Sequence, residues 1–126
     1  MENWKDIKGF EGLYQVNFWG EVKSVERTYQ VGFGKKRVVK VGGLRVIKVS
    51  RYGYKIVQLF KNGKPFTRSI HRLVAEAFIE NPMNYRVVNH IDGNKLNNSI
   101  DNLEWCSDKQ NTLHYHRVLK QKSSLK

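Results

Sequence analysis

The sequence predicts an α+β fold: a β-rich N-terminal half, then a helix, then a strand–turn–strand–helix (ββα) module. Three observations predict it. Short alternating apolar runs punctuated by glycine fill the first part of the chain. At Ile70 the apolar spacing changes from that of a strand to that of a helix, with Ile70, Leu73, Val74, Ala77 and Phe78 on one face and Asn81-Pro82 ending the run. Residues 87–111, VVNHIDGNKLNNSIDNLEWCSDKQN, then pass from an apolar pair through an Asn-rich turn to a second apolar strand and a polar helix.

Taken in order, Tyr14 and Val16, then Val22 and Val25, fit two short strands joined across residues 18–21, with Gly20 as the turn residue. Residues 31–43 carry four glycines and the Lys35-Lys36-Arg37 cluster, which reads as a basic loop or loose hairpin. Leu44 to Val49 is strand-like. Tyr54 to Phe60 and Phe66 to Ile70 form a clearer hairpin, because the Asn62-Gly63 pair between β-formers is the strongest short-range hairpin signal. Past the helix, Val87-Val88 and Leu103 to Cys106 are strands separated by the turn-rich Asp92 to Ser99. Ser107 or Asp108 is the expected N-cap of a last helix running to about residue 119, and the polar tail 120–126 is expected to fray. Without a long linker, this reads as one compact unit.

Composition narrows the partner. Of 126 residues, 40% are hydrophobic, a globular proportion, and the formal charge of +12 calls for a polyanion. The chain has no long apolar run or basic amphipathic helix, which favours nucleic acid over a membrane surface. Cys106 is the single cysteine, which excludes an internal disulfide and a paired-Cys zinc site, and its apolar neighbours predict a buried thiol. Trp4, Asp6 and Lys8 interrupt any signal-peptide core, so the chain reads as intracellular and cytoplasmic.

The chemistry-bearing residues cluster in 87–111. His90 ends an apolar run and is a candidate general base, since a neutral imidazole can take a proton from water near neutral pH. Phosphodiester hydrolysis also needs a divalent cation, for which Asn89 and Asn111 offer amide oxygens. Neighbours on a regular strand point to opposite faces, so Asn89 and His90 share a site only where the strand ends or bends. Asn94, Asn97 and Asn98 read as turn formers, Asp92 as an Asx-turn residue, His71 as a capping or packing residue, His114 as solvated and Trp105 as core. Lys35, Lys36, Arg37, Lys40, Arg45, Lys48 and Arg51 form a basic, glycine-rich stretch suited to phosphate contact, with Arg37 and Arg45 the first candidates for reading guanine.

Residues 87–111 resemble the HNH nuclease motif in the form found in phage and intron-encoded homing endonucleases. IHRLVAEAFIENP, residues 70–82, resembles the segment leading into that motif, and residues 4–24 resemble the N-terminal modular element (NUMOD4-like) often joined to it. The three segments come in the expected order and cover about half the chain. The resemblance implies a ββα-metal (His-Me finger) module over residues 70–119, behind a NUMOD4-like element at 1–30 and a basic DNA-contacting hairpin region at 31–69. It implies His90 as general base, Asn102 as the central residue that tethers the turn and orients the base, and Asn89 and Asn111 as the metal positions. One Mg²⁺ or Mn²⁺ is implied per site. Relatives often carry Asp or His where Asn89 stands, so two neutral amides should hold the ion weakly until a DNA phosphate adds charge.

The partner implied is double-stranded DNA, nicked by a monomer or cut on both strands by a homodimer. The short stretch after the last helix leaves no room for the helix-turn-helix module of many relatives, which favours a minimal enzyme of lower specificity. The alternative is a catalytically inactive nucleic-acid-binding protein on the same fold. A basic RNA-binding protein is a third reading, without a positive motif.

Overall fold

Inward-facing Tyr14, Val16 and Val22 build the first sheet. In the computed structural model, which describes residues 3–32, 36–40 and 42–110 and omits the side chains of 28–31 and 36–40, they are buried, while Gln15 and Lys23 on the same strands are half-exposed. Strand β2 (Tyr14–Val16) pairs antiparallel with β1 (Lys5–Asp6) on one side and with β3 (Val22–Ser24) on the other. The connecting turn is tied by the buried Asn17, whose Oδ1 accepts from the N–H groups of Trp19 (3.0 Å) and Glu21 (2.9 Å). Val25 lies beyond β3, and its N–H goes to the Leu13 carbonyl at 2.8 Å.

Next comes a hairpin of β4 (Arg27–Val31) and β5 (Lys36–Lys40). It starts four residues before the position-31 boundary the sequence suggested. Leu44 to Val49 is not one strand, as the sequence suggested, but two. β6 (Gly43–Leu44) returns to β3, while β7 (Ile47–Val49) opens a second sheet with β8 (Lys55–Lys61) and β9 (Lys64–Ser69). Arg45 makes the crossing: its backbone N–H bonds Val22 O at 2.7 Å and its guanidinium bonds Gln58 O at 3.1 Å, one sheet on each side. The expected Asn-Gly turn closes β8 onto β9, with both residues at positive φ (54° and 74°), as a type I′ turn requires.

Helix α1 (Ile70–Phe78) buries Ile70, Leu73, Val74 and Ala75 against β2, β8 and β9. Its remaining flank meets the C-terminal hairpin, β10 (Val87–His90) and β11 (Leu103–Cys106), which are joined through a 3-10 turn at Ile100–Asn102. A two-stranded hairpin alone is marginal in water. Here Val88 and Leu103 join the same core as Ile7, Tyr14, Leu59 and Val74, so the front sheets stabilise the hairpin. Tyr14 ties the two front sheets as well, its fully buried hydroxyl accepting from the Phe60 N–H at 3.1 Å.

Gly20 is the tightest point of this join. Its φ is +83°, and a Cβ there would meet Ile70 Cγ2 of α1 at 2.7 Å. Gly20→Ala is expected to cost about 2 kcal/mol or more through positive-φ strain and overpacking, read as a shifted denaturation midpoint.

Candidate active site

Register decides where each side chain of the C-terminal hairpin goes. Val88 lies opposite Trp105 and His90 opposite Leu103, while Val87 lies opposite Cys106 and Asn89 opposite Glu104. Alternation along a strand therefore sends His90 with Val88, Leu103 and Trp105 towards α1, and Asn89 with Glu104 to the other face. Pairing persists to the end of β10, since Ile91 N–H still bonds Asn102 O at 2.8 Å. Only then does the chain turn, at Gly93 (φ 75°), whose N–H bonds His90 O at 2.9 Å. His90 is thus the last strand residue before the loop, with the His90 and Asn89 side chains on opposite sides of one strand end.

On the inner face His90 is 6% exposed, and its Nε2 lies 2.8 Å from Asn98 Oδ1. The His71 ring from α1 packs against it at 4.9 Å between centroids, and Tyr54 stacks on His71 at 5.2 Å. Lys95 Nζ sits 4.7 Å from the Tyr54 ring and bonds Tyr52 O at 3.1 Å. Burial pulls the His90 ring below its ordinary value, opposed by the Asn98 hydrogen bond and by Asp92, and assisted by Lys95. A neutral imidazole near pH 7 follows.

Asn102 holds the loop and does not contact His90 through any hydrogen bond described. Its Oδ1 accepts from Asp92 N–H (3.0 Å), and its Nδ2 donates to Asp92 Oδ1 (2.9 Å) and Asn97 O (2.8 Å). Asp92 and Asn94 close Asx turns onto Asn94 N–H and Leu96 N–H, as the sequence suggested. Burial alone would raise the Asp92 carboxyl, but the bonds from Asn94, Asn97 and Asn102 and the nearby His90 leave it below its ordinary range. Of the residues read as turn formers, Asn98 is the one that touches the His90 ring.

On the outer face the Asn89 Nδ2 donates to Glu104 Oε1 at 3.0 Å, which brings a carboxylate beside a metal position expected to have none. The oxygens on this face are hard donors, the kind Mg²⁺ and Mn²⁺ take. The Cys106 thiol is pushed up, first by burial and then by Glu104 and Asp108, and stays protonated. Among the described residues no three His, Cys, Asp or Glu side chains form a metal-binding group. The last helix begins with a reciprocal capping box: Gln110 N–H bonds Ser107 Oγ (3.2 Å) and Ser107 N–H bonds Gln110 Oε1 (3.0 Å). Ser107 is therefore the N-cap. Asn111, His114 and His116 lie outside the described residues.

The basic set divides. Arg45 is spent inside the fold, its guanidinium over the Tyr14 and Phe60 rings (both 5.8 Å) as well as on Gln58 O. Lys48 is exposed on β7, and exposed Arg51 lies over the Tyr52 ring at 5.0 Å in the turn before β8. Lys36, Arg37 and Lys40 are on β5 with side chains outside the described set, and Lys35 lies outside it altogether.

Tyr54, His71, Asn98, Lys95 and Glu104 are the site neighbours that sequence reasoning did not gather. Glu104 was the accessible one, because pairing 87–90 with 103–106 already sets it opposite Asn89.

Burial, then His90 and Arg72, hold the His71 ring down to about 4. Its folded pKa is below its unfolded value, so the unfolded state binds the extra proton. The neutral ring's contribution is complete above about pH 6.5 and is lost as pH falls through about 4. His71→Phe keeps the stacked ring and is expected to flatten the loss of stability between these limits, measured by urea unfolding at stepped pH.

Two family models match the chain: HNH endonuclease over residues 68–113 and NUMOD4 motif over residues 2–60. DNA endonuclease I-HmuI of Bacillus phage SP01 is 43% identical over 108 residues, covering 86% of this chain and 54% of that protein. An uncharacterized HNH endonuclease of Acanthamoeba polyphaga mimivirus is 54% identical over 68 residues, covering 54% of this chain and 21% of its own length. A solved structure of DNA binding and cleavage by the HNH homing endonuclease I-HmuI superposes with a TM-score of 0.70 at 40% identity. It covers 91% of this chain and 58% of that one. The chain spans about half the length of the phage relative and a fifth of the viral one. The hairpin with its buried histidine lies in the stretch matched as HNH endonuclease and the front sheets in the stretch matched as NUMOD4 motif, so the chain carries an HNH endonuclease region behind a NUMOD4 motif.

Proposed function

We propose that this chain is a metal-dependent DNA endonuclease that hydrolyses phosphodiester bonds with His90 as general base. The observation that carries the reading is His90 itself: buried, kept neutral, and held by Asn98 at the mouth of the loop inside the HNH-matching region. His90 takes a proton from water, the water oxygen attacks phosphorus, and the P–O3′ bond breaks to leave a 5′-phosphate and a 3′ oxygen that takes up a proton from solvent. Asn102 keeps the loop closed around Asp92, so the ring is fixed before DNA arrives.

Asn89 and Asn111 would hold one Mg²⁺ or Mn²⁺, with the Glu104 carboxylate beside Asn89. When bound, the ion supplies charge stabilisation for the phosphate and the departing oxygen. Two neutral amide oxygens hold a hard cation weakly, so binding of the ion is coupled to binding of DNA, whose phosphate adds the charge. Lys48 and Arg51, with the cations of β5, contact phosphates of double-stranded DNA. A monomer nicks, and a homodimer cuts both strands. Asn89, a neutral amide where an anionic ligand would hold a hard cation better, favours a second reading, an inactive DNA-binding protein on this fold.

Supercoiled plasmid incubated with the chain and Mg²⁺ or Mn²⁺ separates the two. Conversion to open-circle or linear DNA is expected, abolished by EDTA and reduced by about 10²–10⁴-fold in His90→Ala with DNA binding retained. Salt-sensitive binding without cleavage under either metal would establish the inactive binder.

A further inference from the structure

We propose that Asn98 is a positioning residue that selects the tautomer of His90, and that the turn over residues 17–21 holds it there. The proposal rests on the reading of His90 as base. Asn98 is 4% exposed, with its side-chain oxygen 2.8 Å from His90 Nε2. In this orientation of the amide its oxygen only accepts, so Nε2 carries the hydrogen, and in the neutral ring Nδ1 keeps the lone pair that can take a proton from water.

Two further features set Asn98 apart from its neighbours. Its Nδ2 is buried with no hydrogen-bond partner among the described residues. Leaving such a donor unpaired costs about 1–3 kcal/mol, which a residue kept only for turn geometry has no reason to incur. The side-chain bonds that shape the loop come instead from Asp92, Asn94, Asn97 and Asn102. The other feature is the brace. A Cβ at Gly20 would lie 3.4 Å from Asn98 Cβ, and Ile100 N–H bonds Phe18 O at 3.0 Å, so the front turn and the loop are pinned together. Asn98 is enclosed between that turn and the imidazole, and the front module thereby reaches the site through one side chain.

The test uses the full chain with ¹⁵N-labelled histidine, long-range ¹H–¹⁵N ring correlations, and single-turnover plasmid cleavage with Mg²⁺. Asn98→Leu removes both the acceptor and the unpaired donor at similar volume, while Asn98→Asp keeps an acceptor. The wild type is expected in the Nε2–H form. Asn98→Leu is expected to mix the tautomers and slow cleavage by at least about 10²-fold at unchanged DNA affinity, with a thermal midpoint no lower than wild type. Asn98→Asp should keep the Nε2–H form and cut within about tenfold of wild type. An Nδ1–H wild type, or an Asn98→Leu variant with wild-type tautomer and rate, would overturn the proposal. A wild type that holds the Nε2–H form but cuts no DNA upholds the tautomer assignment and removes the nuclease reading instead.

Discussion

The antiparallel register between Val87–His90 and Leu103–Cys106 is the constraint on which the site depends. Because side chains alternate, a slip of one residue would turn His90 outward and Asn89 inward and exchange their surroundings. Burial of Val88 and Leu103 in the common core sets the register from one side. Trp105 sets it from another, its indole N–H bonding Ile79 O just past α1 at 3.0 Å. The loop beyond the strands is closed by Asn102 and Asp92 only when the strand ends meet in this alignment.

From that constraint the two faces take separate work. The inner face is apolar and aromatic: Tyr54 stacks on His71, His71 packs tilted against His90, and burial keeps both imidazoles below their ordinary values. The outer face carries Asn89 and Glu104 paired across the strands, together with Val87 and the buried Cys106. The front sheets contribute rigidity, since Gly20, Phe18 and Tyr14 fix α1 and the loop against them.

Much of this was legible in the residues. The Asn62-Gly63 turn, the helix face from Ile70 and the hairpin around Asp92 to Ser99 carry local signals, namely turn chemistry and periodicity, and these elements formed where expected. What local signals could not give was the assignment of short strands to sheets. Gly43 to Val49 reads as one apolar run, yet Arg45 divides it by bonding both sheets, a matter of long-range partners. The short alternation of the first hairpin likewise concealed β1, whose Lys5 and Asp6 are exposed and carry no hydrophobic pattern. At the site, the family motif singled out His90 as a candidate, whereas Asn98 looked like one turn-forming Asn among several. Only the three-dimensional loop separates it from Asn94 and Asn97. His71 was read correctly as a packing residue, and what the sequence withheld was that its packing partner is His90.

The most direct test is crystallographic: Mn²⁺ anomalous diffraction from the His90→Ala chain bound to duplex DNA. The account requires manganese ligated by Asn89 on the outer face, and a backbone phosphate lying across the strand end between the metal and residue 90. Manganese bound elsewhere, or DNA that passes the hairpin without placing a phosphate there, would contradict it.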